Sequence, residues 1–194
     1  MASVRAFIAV SVDEMIVARL AALQADWRIA GADIGWVLPE SLHLTLKFLG
    51  EVTDDRLADI GDQLRHLAEA SAPFRLTFMG AGGFPNLQRP RVLWVGVSQG
   101  AAALQTLAGE LDATMAALRF PPETRPYRAH LTLGRVKSPE QFSRLRPLVA
   151  ARAEELFGTM DVSELRLLRS DLGPQGARYT ALHQAAFTGS VPLT

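Results

Sequence analysis

The tetrapeptide His-Leu-Thr-Leu occurs twice in this chain, as His43-Leu44-Thr45-Leu46 and His130-Leu131-Thr132-Leu133, 87 residues apart. Similarity at a fixed offset marks an internally repeated fold, and the flanks keep the period. Arg5-Ala6-Phe7-Ile8-Ala9-Val10 precedes the first copy and Arg91-Val92-Leu93-Trp94-Val95-Gly96-Val97 the second, at an offset of 86. Both read as strands, and each is followed by an amphipathic helix. Ile16, Leu20, Leu23 and Trp27 recur at helical spacing behind Asp13, an N-cap residue; Leu104, Leu107, Leu111 and Leu118 do the same in the second unit.

A helix also follows each His-bearing strand. Leu57, Ile60, Leu64 and Leu67 stripe the first, entered at Thr53 or Asp54. Phe142, Leu145, Val149 and Leu156 stripe the second. Its entry, Ser138-Pro139-Glu140-Gln141, combines a capping box with proline at the first helical position. Pro147 inside that stripe should kink or shorten it. Third strands, Phe74 to Met79 and Val162 to Leu168, close the units, and a last strand runs near Ala177 to Phe187. The expected fold is α+β and bilobal: two β-α-β-α-β units at about 4–80 and 91–169 and a closing strand at about 177–187. Two antiparallel sheets line a central cleft with helices outside, in a single domain spanning 1–194, long enough to bury a core. Gly80-Ala81-Gly82-Gly83, Phe84-Pro85-Asn86 and Arg89-Pro90 read as turns that form a short joint between the units.

Strand alternation assigns faces. Leu42, Leu44, Leu46 and Phe48 share one side of the first motif, and His43, Thr45 and Lys47 the other. In the second, Ala129, Leu131 and Leu133 oppose Arg128, His130 and Thr132. The leucine sides suit a core under helices. The polar sides must meet water or a ligand, because burying them unpaired is costly. A duplication with approximate twofold symmetry brings equivalent positions together at its axis, so His43 and His130 can flank one atom. Imidazole titrates near neutrality, so one ring can be the base and its twin the acid at one pH. Phosphoryl transfer asks for that pair: a nucleophile deprotonated and a leaving oxygen protonated on opposite sides of phosphorus. Each threonine lies two residues from its histidine and can donate to a non-bridging phosphate oxygen.

Other chemistries find less support. The chain has no cysteine, which removes disulfides, thiol nucleophiles and cysteine-ligated zinc. Two histidines without a carboxylate at coordinating spacing do not make a catalytic zinc site. No Lys-Ser/Thr follows Gly80-Ala81-Gly82-Gly83, and neither a dinucleotide fingerprint nor a serine elbow is present. Twenty basic and twenty acidic residues cancel, so an anionic substrate must be held by a local cluster. The stretch from Met1 to Val10 lacks an apolar run long enough for a signal peptide or a membrane span, so a cytoplasmic protein is expected.

The paired motifs resemble the signature of the 2H phosphoesterases, and their surroundings resemble its RNA 2′,3′-cyclic phosphodiesterase branch, long called 2′-5′ RNA ligase. The matching segments are Trp36 to Leu42 leading into His43, Lys47-Phe48-Leu49-Gly50, Gly83-Phe84-Pro85-Asn86, Pro90 to Trp94, His130 to Arg135, and Arg169 to Pro174. The likeness covers nearly the whole chain. It implies that His43 protonates the departing 3′ oxygen, that His130 activates water, and that Thr45, Thr132 and Arg135 hold the phosphate. Spacing alone does not say which histidine is the acid. The resemblance also implies action on RNA ends or nucleotides carrying a 2′,3′-cyclic phosphate, with no metal and no cofactor, and 2′-5′ ligation as the reverse reaction; a monomer is expected, although nothing in the sequence fixes the oligomeric state. Ala129 departs from it, because relatives often carry proline there. A small-nucleotide phosphodiesterase and a non-catalytic nucleotide-binding module stay open as alternatives.

Strict alternation from His130 puts Arg135 on the leucine side, unless Gly134 hosts a bulge or turn that swings it back. Lys47 and Arg128 share faces with their histidines and could supply local positive charge. His66 reads as a solvated helix residue, and His183 as a packing or edge residue sharing a face with Tyr179 and Ala181. Tyr127 and Phe7 could stack on a base, with core packing the expected fate of Phe7. Trp36 and Trp94 read as core or loop anchors.

Overall fold

The computed structural model describes residues 2–173 and 176–190; Pro174, the end of the last matching segment, lies outside the described residues. In chain order the elements are β1 (Ser3–Ser11), α1 (Glu14–Arg28), β2 (Ile34–Trp36), β3 (His43–Thr53), α2 (Asp54–Ala70), β4 (Phe74–Phe84) and β5 (Val92–Gln99). Then come α3 (Ala101–Ala117), β6 (His130–Val136), α4 (Arg146–Ala150), β7 (Leu156–Val162), β8 (Glu164–Gly173) and β9 (Gly176–Ala186). Short 3-10 segments, Pro39–Ser41 and Pro139–Arg144, lead into β3 and α4. The strands form two antiparallel sheets, ordered β3-β1-β8-β9 and β2-β6-β5-β4-β7. This is the α+β class that the duplication predicts.

The units do not each close their own sheet. Under the repeat, β1 corresponds to β5 and β3 to β6, and the orders β3-β1-β8 and β6-β5-β4 are then the same pattern. The third strands have changed places. β4 joins β5 of the second unit, and β8 joins β1 of the first. Connection length explains this: β4 reaches β5 through a short loop that favours an antiparallel hairpin, whereas returning to β1 would mean crossing α2. The chain passes back at Ser163, the single residue between β7 of one sheet and β8 of the other.

Helices cover the outer faces. Ala6, Ile8, Val10, Leu44, Leu165 and Leu167 pack there with Ile60 and Leu64 of α2, in a core continuous with Leu93, Leu131 and Leu133 of the second sheet. On the opposite, inner face of the first sheet sits a small separate cluster, Phe7, Ala9 and Leu168, with Tyr179 against it. Among the described residues no helix is long and apolar enough to cross a membrane.

Three local expectations are corrected. Gly80-Ala81-Gly82-Gly83 lies inside β4 rather than in a turn. A Cβ on Gly82 would sit 2.4 Å from the Trp94 ring, and one on Gly96 3.2 Å from it, so these glycines leave room for the indole to lie on the sheet. Leu156 opens β7 instead of ending a helix. Pro147 falls in the first turn of α4, where its missing N–H costs no hydrogen bond, so it starts that helix rather than kinking it.

Candidate active site

The site begins with two register breaks in β3. Ser11 pairs with His43 and Ala9 with Thr45, then Ile8 with Lys47, so Leu46 is an extra residue; a second break between Phe7–Phe48 and Ala6–Gly50 makes Leu49 another. Cross-strand partners share a face, and a bulge inverts the facing of the residues after it. Ala9 and Phe7 belong to the inner cluster, so His43, Thr45 and Phe48 all face inward. Lys47 does not. It pairs with Ile8 on the helix side, where its fully buried ammonium meets Asp112 of α3 at 2.5 Å and donates to the Pro121 carbonyl at 2.9 Å. The expectation that Lys47 shares the His43 face is thus wrong, and Phe48, expected in the core, is 60% exposed.

The same device recurs in β6. Gly96 pairs with His130 and Trp94 with Thr132, but Leu93 pairs with Gly134 and Val92 with Arg135, so Leu133 is the extra residue. Val92, Trp94 and Gly96 alternate without a break on β5, so Arg135 lies on the face of His130 and Thr132. This resolves the conflict over Arg135: the bulge is at Leu133, one residue before Gly134. The Leu133 carbonyl is held by the Val37 N–H and by the buried Gln24 side chain of α1, which also donates to the Val37 carbonyl, each at 2.9 Å. Gly134 is glycine because a Cβ there would lie 2.6 Å from Ile34.

β3 and β6, from different sheets, approach with Cα atoms within 8 Å. The two imidazoles are tethered alike. His43 Nδ1 lies 2.7 Å from the Ser41 carbonyl and His130 Nδ1 2.7 Å from the Arg128 carbonyl. A carbonyl only accepts, so each Nδ1 carries the hydrogen and each Nε2 is the atom left for chemistry. Ser41 is itself fixed, its hydroxyl donating to the Ala177 carbonyl of β9 at 3.0 Å. Aromatic rings pack on both imidazoles. Phe7 lies 4.7 Å and Tyr179 4.9 Å from the His43 ring, and Phe84 stands edge-on 5.0 Å from His130.

Burial among these rings is the main cause that holds both histidines below the ordinary imidazole value. The carbonyl bonds oppose it; the charge of His130 adds to the lowering at His43, and that of Arg135 at His130. Burial pushes the Tyr179 phenol up, while Arg135 and Arg5 pull it down. The Arg135 charge therefore reaches both His130 on its own sheet and Tyr179 on the facing one. Among the described residues no group of three His, Cys, Asp or Glu side chains gathers to hold a metal.

The remaining candidates lie elsewhere. His66 is exposed on α2. His183 packs against Gly61 of α2, since a register break at Leu182 turns it to the helix side, away from Tyr179 and Ala181. Tyr127 packs against the core and its hydroxyl is buried. Arg128 contributes its carbonyl to His130, while its guanidinium lies 5.8 Å from the centre of the Phe84 ring. Phe7 is buried, but in the inner cluster beneath His43. Tyr179, Phe84 and Phe48 line the site without having been selected from the sequence.

A family model described as the 2′-5′ RNA ligase superfamily matches residues 12–174. An RNA 2′,3′-cyclic phosphodiesterase of Methanothermobacter thermautotrophicus is 39% identical over 177 residues, covering 91% of this chain and 95% of that protein. One from Aeropyrum pernix is 35% identical over 178 residues, covering 91% of this chain and all of its own length. Among solved structures, a Thermus thermophilus protein superposes with a TM-score of 0.79 at 34% identity, covering 96% of this chain and 100% of its own. E. coli LigT complexed with 3′-AMP does so with a TM-score of 0.76 at 26% identity, covering 96% and 99%.

Proposed function

The chain belongs to the 2′-5′ RNA ligase superfamily, and on that premise we propose that it is an RNA 2′,3′-cyclic phosphodiesterase with His43 as proton donor and His130 as proton acceptor. The observation that carries this is the paired tether: two imidazoles from equivalent strands, each with Nδ1 bound to the carbonyl two residues earlier, leaving two Nε2 atoms for one substrate.

The terminal cyclic phosphate sits between β3 and β6. His130 Nε2 takes a proton from water as the water oxygen attacks phosphorus. The P–O3′ bond breaks, and protonated His43 delivers its Nε2 proton to the departing 3′ oxygen. The product is an RNA 2′-phosphate with a free 3′-hydroxyl. Thr45 and Thr132 donate to the non-bridging oxygens, and Arg135 supplies the charge-assisted bond that the neutral balance of the chain otherwise lacks. No metal is required, because one imidazole removes the proton and the other returns one. Acid–base assistance of this kind contributes roughly 10²–10⁴-fold, with positioning supplying the rest. The same transition state, entered from a 5′-hydroxyl instead of water, forms a 2′-5′ bond; water at its bulk concentration favours hydrolysis. We read the protein as a cytoplasmic monomer.

The test is product analysis on an oligoribonucleotide ending in 2′,3′-cyclic phosphate, with and without EDTA. A 2′-phosphate is expected in both buffers, with turnover lost by about 10²-fold or more in His43→Ala and His130→Ala. Untouched substrate, or a 3′-phosphate product, would overturn the reading.

A further inference from the structure

The two imidazoles are tethered alike, yet the residues that supply the carbonyls differ in kind. Ser41 and Arg128 stand 87 residues apart, the spacing of the repeat, and each offers its carbonyl to Nδ1 of the histidine two residues on, at 2.7 Å. Their side chains diverge. Ser41 is buried, its hydroxyl bound to the Ala177 carbonyl of β9 at 3.0 Å, and Tyr179 of the same strand lies 4.9 Å from the His43 ring. β9 thus packs against the His43 side of the cleft. Arg128 is exposed, and among the described residues no carboxylate or carbonyl binds its guanidinium.

That guanidinium is nevertheless placed. It lies 5.8 Å from the centre of the Phe84 ring, within the range at which an aromatic face attracts a cation. Phe84 pairs with Val92, the partner of Arg135, so it shares the inner face; it stands edge-on to His130 at 5.0 Å, with Trp94 against it at 5.1 Å. The charge of the segment favours an anion. Over 118–129, between α3 and β6, Arg119, Arg125 and Arg128 are accompanied by Glu123 as the one acidic residue.

The in-line geometry of phosphoryl transfer gives this asymmetry a use. On the His43 side the leaving group is the 3′ oxygen, which stays on its own ribose and needs no room for a second molecule. On the His130 side the nucleophile enters. Water needs little space there, but a 5′-hydroxyl brings a strand whose next phosphate follows one nucleotide behind. We propose that Arg128, held on Phe84, is the phosphate-binding residue of an acceptor subsite on the His130 side, which takes a nucleotide by the phosphate that follows its free 5′-hydroxyl. The proposal rests on the reading of the cleft as a cyclic phosphodiesterase with His130 as the base. In the step it serves, the 5′-hydroxyl gives its proton to His130 Nε2 as its oxygen bonds to phosphorus. The P–O3′ bond breaks, His43 protonates O3′, and a 2′-5′ phosphodiester is left.

The experiment supplies labelled adenosine 2′,3′-cyclic phosphate with excess uridine or excess uridine 3′-phosphate, and reads the ratio of 2′-5′ dinucleotide to adenosine 2′-phosphate. The two acceptors carry the same 5′-hydroxyl and differ in the phosphate. The unmodified protein should give a ratio about tenfold higher with uridine 3′-phosphate, the effect of one hydrogen bond between charged groups. Arg128→Met should bring the two acceptors level, and Arg128→Lys, which keeps the charge without the fork, should retain part of the difference. A merely structural effect of Arg128→Met on His130 would slow hydrolysis and transfer together and leave the acceptor preference standing, which would overturn the proposal. Equal acceptors in the unmodified protein, or hydrolysis with transfer to neither, would overturn it as well. A cyclic phosphate left intact would instead remove the phosphodiesterase reading on which the subsite rests.

Discussion

The Lys47–Asp112 pair ties the bulged segment of β3 to α3, and its two ends differ in a way that predicts an unequal response to mutation. The lysine side chain is 0% exposed and the aspartate 23% exposed. Replacing Asp112 by Ala leaves a buried ammonium with only the Pro121 carbonyl for company. Orphaning one partner of a buried pair costs about 3–5 kcal/mol. Lys47→Met removes the charge and keeps most of the apolar stem. Asp112 then turns to water and keeps its two bonds from the Glu123 N–H at 3.1 and 3.2 Å. The residual cost is the unsatisfied Pro121 carbonyl and some packing change, about 1–2 kcal/mol. Asp112→Ala should therefore be the worse by about 2 kcal/mol, and Lys47→Met combined with Asp112→Ala should recover part of that loss. Urea unfolding followed by tryptophan fluorescence reads these values from the midpoints and slopes. Equal costs, or a worse Lys47→Met, would refute the claim that the desolvated lysine dominates the pair. The pair also sets an acid limit. Its hydrogen bond to Lys47 is the largest cause that lowers the Asp112 carboxyl below its ordinary value. The corresponding stability is present above the unfolded carboxylate range and is lost as pH falls through the folded value.

Two further outcomes concern turnover. Because burial lowers both histidines, and catalysis needs one neutral and one protonated, kcat/KM should be bell-shaped with both limbs displaced below the ordinary imidazole value of about 6.5. The kcat profile should lie higher, since a bound phosphate anion favours the protonated rings; a kcat/KM curve centred well above pH 7 would contradict the burial argument. Arg135→Met should lower kcat/KM by about ten- to a hundredfold through loss of a charge-assisted bond, with Arg135→Lys recovering only part; steady-state kinetics in which both variants match the unmodified protein would place Arg135 outside the site.

Legibility of the sequence stopped where alternation stopped. The duplication, the strand at each His-Leu-Thr-Leu and the inward direction of His43, Thr45, His130 and Thr132 follow from period and pattern, because these residues precede the first bulge of each strand. Pairing partners did not follow, since an apolar run records that it is buried and not against which strand; so the exchange of β4 and β8 between the units stayed hidden. After the bulges every strict assignment failed in the same direction, for Lys47, Phe48 and Arg135 alike, and the break at Leu182 misplaced His183 in the same manner. One signal was nevertheless available. The 87-residue offset makes Phe48 the counterpart of Arg135, so family resemblance that brings the arginine into the cleft commits the phenylalanine to the same face, and with it Lys47 to the core. A lysine there needs an anion in reach, and a carboxylate on α3, the helix packed against β3, is what the fold supplies. In that order the repeat predicts the bulge, the bulge predicts the buried charge, and the buried charge predicts its partner.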